Sequence, residues 1–323
     1  MSRTDAGRAA NARRAGQPVA ALATGASPGS RPAGPLLAAS LPLVSLLAVS
    51  ILAGCAGETE VRPGPEDWTA LFNGRDLSGW TVKIAGHEPG DNFARTFRVE
   101  DGVVQVRYDG YDDFGDRFGH LYYDRPFSHY RLTFEYRFVG ELHPGAPDYA
   151  RLNSGVMFHS QGPRTMPVDQ DWPISVELQL LAGLGDGEPR PTGNMCSPGT
   201  TVVYRGERTE AHCIESTSGT YPPGRWVRAE LVVLGDSLVT HIIEGDTVLQ
   251  YTRPAIGGGV VSGHDPAVKV DGTPLAGGFI ALQSEGQPVD FRDVRLLDLE
   301  GCTDPASDRY RPWYVAADPG ACR

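Results

Sequence analysis

The chain has 323 residues, a formal net charge of −11, 40% hydrophobic residues, 40 glycines and 26 prolines. An acidic surface repels phosphate backbones, which excludes nucleic acid as a partner, and only two lysines, Lys83 and Lys269, are present for Schiff-base chemistry. The length suits one large β domain with a good core, and the glycines and prolines are the punctuation such a domain needs.

Five arginines precede an apolar run over residues 36–52, which ends in Leu52-Ala53-Gly54-Cys55. Small residues before a cysteine at the end of a short apolar segment read as a lipoprotein signal over residues 1–54, cut before Cys55, which takes the lipid. The run is too short and too proline-interrupted for a span of about 20 residues, so the membrane contact expected is the lipid anchor alone. Ala56 rather than Asp follows the cysteine, which points to the cell envelope and its outer membrane. Residues 55–66 are rich in Gly, Glu and Pro and read as a tether. The domain follows over 67–300, and 301–323 form a tail.

Strand follows strand from Trp68 onward. Over residues 129–139, Tyr130, Leu132, Phe134, Tyr136 and Phe138 alternate with Arg131, Thr133, Glu135 and Arg137, a period of two with one face buried. Similar runs cover 102–108, 155–160, 174–181, 226–234, 237–244, 247–251, 278–283 and 288–297, with a hairpin turn at Glu244-Gly245-Asp246. No window shows a sustained helical period. The fold expected is an all-β sandwich.

Five cysteines less Cys55 leave Cys196, Cys213, Cys302 and Cys322. Four cysteines allow three pairings, and proximity favours Cys196–Cys213 and Cys302–Cys322, each worth about 3 kcal/mol. No C-x-x-C pair suggests a structural zinc. Asp109, Asp112, Asp113 and Asp116 form an acidic loop that lacks the glycine and closing glutamate of an EF-hand. Past the leader, the chain also lacks a G-x-S-x-G elbow, an H-E-x-x-H pair and a phosphate loop.

The polar groups concentrate between Asn153 and Cys213. Residues two apart on a strand face the same way, so Ile174, Val176, Leu178 and Leu180 point inward while Ser175, Glu177 and Gln179 share the opposite face. In the preceding strand Val156 and Phe158 should be inward, and Met157 and His159 outward. His159 and Glu177 are therefore expected as cross-strand neighbours, a carboxylate fixing the tautomer of an imidazole base. Asn153 and Gln161 flank them, and Arg190, Thr192 and Asn194 sit in a loop pinned by Cys196. A second polar cluster joins Gln283 and Glu285 to Arg292, where a hairpin with a structural Glu–Arg pair is the plainer reading. His212 beside Cys213 reads as packing on the disulfide, and His241 as a structural histidine.

Taken together these segments resemble the 3-keto-disaccharide hydrolase domain family. The resemblance rests on Leu71-Phe72-Asn73-Gly74-Arg75-Asp76-Leu77-Ser78-Gly79-Trp80, on Asn153-Ser154-Gly155, on Val176-Glu177-Leu178-Gln179 and on the block from Phe279 to Arg292. It runs from about Trp68 to Leu299. The loop from Arg190 to Thr200 and the Gly301-Cys302-Thr303-Asp304-Pro305 tail resemble a lipoprotein subgroup. Many members carry a histidine where Glu285 stands. The resemblance implies a concanavalin-like jelly-roll and cleavage of glycosides already oxidised to a ketone at C3. The ketone acidifies the C2 proton, a base removes it, and the enolate expels the C1 substituent, with water free to add afterwards.

Such a site needs a base, an enolate stabiliser and a leaving-group acid. The expected roles are His159 backed by Glu177 as base and Arg190 or Asn194 as enolate stabiliser. Gln179, Asn153, Gln161, Gln283, Glu285 and Arg292 are the expected substrate contacts, and a divalent metal ion is an alternative enolate stabiliser. The rival reading is a non-catalytic, lectin-like surface lipoprotein, since fold does not fix function, and a third is an envelope interaction module. A catalytic site should show a buried Glu177 of raised pKa in a cleft. A lectin should show exposed aromatics such as Trp172 or Tyr221 on an open face.

Overall fold

Strict alternation builds the sandwich. In the His129–Phe138 strand Tyr130, Leu132, Phe134, Tyr136 and Phe138 are buried between two sheets, while Arg131, Glu135 and Arg137 face outward. The computed structural model describes residues 61–323 except Glu210 and Pro319. The leader and the lipidation site expected at Cys55 lie outside the described residues, as does most of the tether.

The fold is an all-β, concanavalin-like jelly-roll of two antiparallel sheets. One sheet has ten strands. Its central ladder packs His129–Phe138 between Val227–Leu234 and Val289–Asp298, and Trp68–Ala70 adds to the latter. The other sheet has seven strands, in the order Cys213–Ile214, Asn194–Cys196, Val176–Leu181, Asn153–Ser160, Phe279–Ser284, Gly119–Tyr123 and Trp80–Ile84. The described residues contain 3-10 turns but no α-helix. Sequence patterning did not predict the short strands Trp80–Ile84 and Gly119–Tyr123, because both of their faces are covered. Lys83 and His120 are as buried as Val82 and Leu121 beside them, so no alternation shows.

One continuous core lies between the sheets. From the seven-stranded sheet it takes Val82, Ile84, Leu121, Val156, Phe158, Val176, Leu178, Leu180, Met195, Ile280 and Leu282. The outer face of that sheet carries a separate small cluster of Tyr122, Met157, Met166 and Ala281. The Leu71–Trp80 signature is a scaffold. Asn73 Oδ1 accepts the amides of Arg75 and Asp76, Asp76 Oδ1 accepts that of Ser78, and the buried Trp80 indole donates to Leu71 O. Both disulfides join the cysteines expected, Cys196–Cys213 and Cys302–Cys322. The second closes the tail, where Glu300–Gly301 pairs in parallel with Ala316–Ala317.

The expected hairpin turn forms between Ile243 and Asp246, which pair directly. Glu244 and Gly245 both adopt positive φ, 52° and 93°, as a two-residue turn between right-twisted strands requires. Gly245→Ala is expected to cost about 1 kcal/mol, read as a lower midpoint in urea with an unchanged m value.

Candidate active site

The Asn153–Ser160 and Val176–Leu181 strands set the floor of the site. Their register pairs Asn153 with Leu181, Gly155 with Gln179 and Met157 with Glu177. Alternation sends Val176, Leu178 and Leu180 into the core and Glu177, Gln179 and Leu181 to the outer face, where they line a cavity of about 440 Å³. That volume falls in the range of small-molecule sites. Asn153, Arg190, His212, Gln283 and Glu285 complete its polar wall, and Tyr149, Trp172, Pro198, Cys213 and Val260 add to the lining.

Glu177 is 6% exposed, and burial alone pushes its pKa up to about 8. Its side chain lies over Gly155: a Cβ there would stand 2.2 Å from Glu177 Oε1 and 2.7 Å from its Cγ. The missing methyl at position 155 therefore makes room for the carboxylate. Glu285 is also buried, and desolvation and then the charge of Glu177 hold its carboxyl well above the usual carboxylate range. Two acids facing one desolvated cavity separate in protonation state, one ionising while the other keeps its proton.

The amides are arranged as acceptors and donors. Asn194 Nδ2 donates to Gln179 Oε1 at 3.0 Å, leaving the Gln179 NH₂ for the cavity. Asn153 donates to Tyr149 O at 3.3 Å while its Oδ1 has no partner. Gln283 Oε1 and Glu285 Oε2 are likewise buried and unpartnered. Orphaned buried polar atoms are costly; the two amide oxygens on this wall call for hydroxyl donors, and the protonated Glu285 carboxyl for an acceptor.

Several expected site residues lie elsewhere. His159 does not face Glu177; Met157 does. The ladder to Phe279–Ser284 slips between Phe279 and Ala281, His159 takes φ 47°, and this bulge takes its side chain out of the alternation. Its Nε2 meets Gly235 O, in the other sheet's Leu234–Leu238 connection, at 3.0 Å. Burial lowers its pKa to about 4. Arg292 is on the outer face of the ten-stranded sheet, bonded to Glu135 at 2.6 Å and stacked 4.0 Å over Trp226, so the Glu285–Arg292 pair does not form. Gln161 is not in the cavity wall either; it accepts from Gln170 and from the Ile174 amide, shaping the loop that carries Trp172. Asn194 acts behind Gln179. Arg190 lines the cavity but commits donors to the carbonyls of Leu152, Ala182 and Arg151 at 3.2, 2.6 and 2.8 Å.

The structure adds His212, Tyr149, Trp172 and Val260 to the wall. His212 was half findable: the expected disulfide brings it to Cys196, and the strand register then sets Cys196 beside Glu177. On the adjacent strand His120 pairs with Gln283; both of its ring nitrogens lack partners, and burial lowers its pKa to about 3.

Among the described residues, one group of three ionisable ligand atoms lies within 4.8 Å, that of Cys196, His212 and Cys213. Its cysteines are joined to each other, so it offers no thiolate. The donors of the cavity wall are carboxylate and amide oxygens, the chemistry that suits a hard divalent ion rather than a soft one.

An all-β sandwich that turns buried acids and unpartnered amide oxygens into a sugar-sized hollow defines a carbohydrate-directed protein. More particularly, the chain belongs to the 3-keto-alpha-glucoside-1,2-lyase-like domain family, whose sequence model matches residues 67–297. No curated protein matches the chain. Among solved structures it is similar to a candidate glycosyl hydrolase from Parabacteroides distasonis, at 19% identity and TM-score 0.45 over 73% of this chain and 98% of that one. It is also similar to the carbohydrate binding module CBM66 from Bacillus subtilis, at 11% identity and TM-score 0.39 over 68% and 96%.

Proposed function

We propose that the cavity cleaves 3-keto-glycosides by removing the C2 proton and eliminating the C1 substituent, with Glu177 as the base. The observation that carries this is the buried Glu177 carboxylate in a cavity beside a second, proton-retaining acid, Glu285. A general base works best with a pKa near the operating pH, and burial puts Glu177 there. The C2–H bond breaks, its proton goes to Glu177 and its electron pair to the C3 enolate. The enolate then restores the ketone, C1=C2 forms, the C1–O bond breaks, and the leaving oxygen takes the Glu285 proton. Proton return from Glu177 to Glu285 resets the site, and water added across C1=C2 turns the lyase product into a hydrolysis product.

The Gln179 NH₂ and the Arg190 cation supply positive potential for the enolate, while Asn153 Oδ1 and Gln283 Oε1 accept sugar hydroxyls. His159 and Arg292 have no part in this assignment. A hard divalent ion would be held by the amide oxygens of Asn153 and Gln283 with an ionised Glu285, and would supply charge stabilisation there in place of the Glu285 proton, leaving Glu177 as base. Lipid anchoring through Cys55 at the outer membrane remains part of the proposal and places the reaction in the envelope.

Incubation with a 3-keto-glucoside beside its unoxidised parent, with and without chelator, tests the reading. Cleavage of the oxidised sugar alone is expected. Binding of both sugars without cleavage of either would favour the lectin-like alternative.

A further inference from the structure

The cavity wall has an apolar sector distinct from its acids and amides. Trp172, Pro198 and Val260 come from three loops, and polar contacts tie these loops together. Asp171 Oδ1 accepts the amides of Trp172 at 2.6 Å and Ser262 at 2.8 Å, and its Oδ2 accepts the Ser262 hydroxyl at 2.7 Å. The Gly199 amide donates to Gly259 O at 2.8 Å, tying the Pro198 loop to the Val260 loop. Gln170 Nε2 donates to Trp172 O at 2.8 Å, and the indole packs 4.1 Å from the Phe118 ring.

Val260 is the anomaly. It takes φ 57°, a left-handed conformation that β-branched residues avoid, and its apolar side chain is 51% exposed. Strain of this kind persists where the surroundings hold it, and it concentrates at ligand clamps. Here the Asp171–Ser262 latch holds the loop, and the exposed methyls line the cavity alongside the indole.

We infer that Trp172, Pro198 and Val260 form a leaving-group subsite for an apolar, planar aglycone, an aryl alcohol rather than a second sugar. The inference rests on the proposed cleavage of 3-keto-glycosides and narrows its substrate class. A second pyranose would bring hydroxyls that need polar partners, and the unpartnered polar atoms belong to the Asn153, Gln283 and Glu285 side. An aromatic ring gains from both the indole and the isopropyl surface.

The test measures binding of phenyl and methyl 3-keto-glucosides by calorimetry and their turnover by product formation, in the full chain and in Val260→Gly. Glycine suits the left-handed backbone, so this variant keeps the fold. The wild type should prefer the phenyl glycoside, and Val260→Gly should reduce the phenyl-to-methyl preference roughly tenfold; Trp172→Ala should reduce it further. Equal binding of the two sugars by the wild type, or a preference that survives both substitutions, overturns the subsite. If neither sugar is cleaved, the proposed activity falls, while the calorimetric preference still decides whether the subsite exists.

Discussion

Glu177→Gln should lower turnover of a 3-keto-glucoside by about a thousandfold, the span a positioned general base supplies, and leave the fold intact. Gln keeps the shape and removes the basicity, so substrate affinity should change far less than kcat. The wild-type profile should also rise with pH, because the base works only when ionised and burial has raised its pKa to about 8. Stability should move in the opposite sense. Between the unfolded value of 4.5 and about 8, the folded state holds a proton that the unfolded chain has released. Stability from this group is therefore full below 4.5 and declines by about 1.4 kcal/mol per pH unit up to pH 8. Glu177→Gln escapes this loss. Urea titrations should find the variant more stable than wild type at pH 8 by several kcal/mol, with the two converging at pH 4.

Gly155→Ala should cost activity through position rather than chemistry. Its backbone lies outside the positive-φ set, so alanine introduces no conformational strain. The added methyl would stand 2.2 Å from Glu177 Oε1, and the carboxylate must swing away. Displacing a catalytic group by about 1 Å costs on the order of a hundredfold. Circular dichroism and thermal midpoint should stay close to wild type while kcat falls. Full activity in Gly155→Ala would show that the carboxylate does not work from its position over Gly155.

Alternation made the architecture legible wherever one face of a strand is buried and the other is not, as in His129–Phe138 and Val176–Leu181. The same rule puts Glu177 and Gln179 on the outer face. It misplaced His159 because it presumes an unbroken register, and a one-residue bulge against Phe279–Ser284 leaves no mark in the residue types. Nearness in sequence groups Arg292 with Glu285, whereas parity along Val289–Asp298, with Val289 and Phe291 in the core, puts it on the far side of the molecule. The burial of His120 and Lys83 did not show in the sequence because their strands are covered on both faces. Trp172, Val260 and Tyr149 come from loops and short turns, where no period exists to read. Their place at the cavity depends on tertiary contacts such as Asp171 with Ser262.

The most direct test of the central claim uses a 3-keto-glucoside carrying deuterium at C2. Proton abstraction by Glu177 predicts a primary isotope effect on kcat/KM in the wild type, or loss of the label to solvent ahead of cleavage. It also predicts that Glu177→Gln abolishes both. Cleavage at an unchanged rate with the C2 label retained in the product would contradict the account, and would mean that two acids act directly on the glycosidic bond, as in ordinary glycoside hydrolysis.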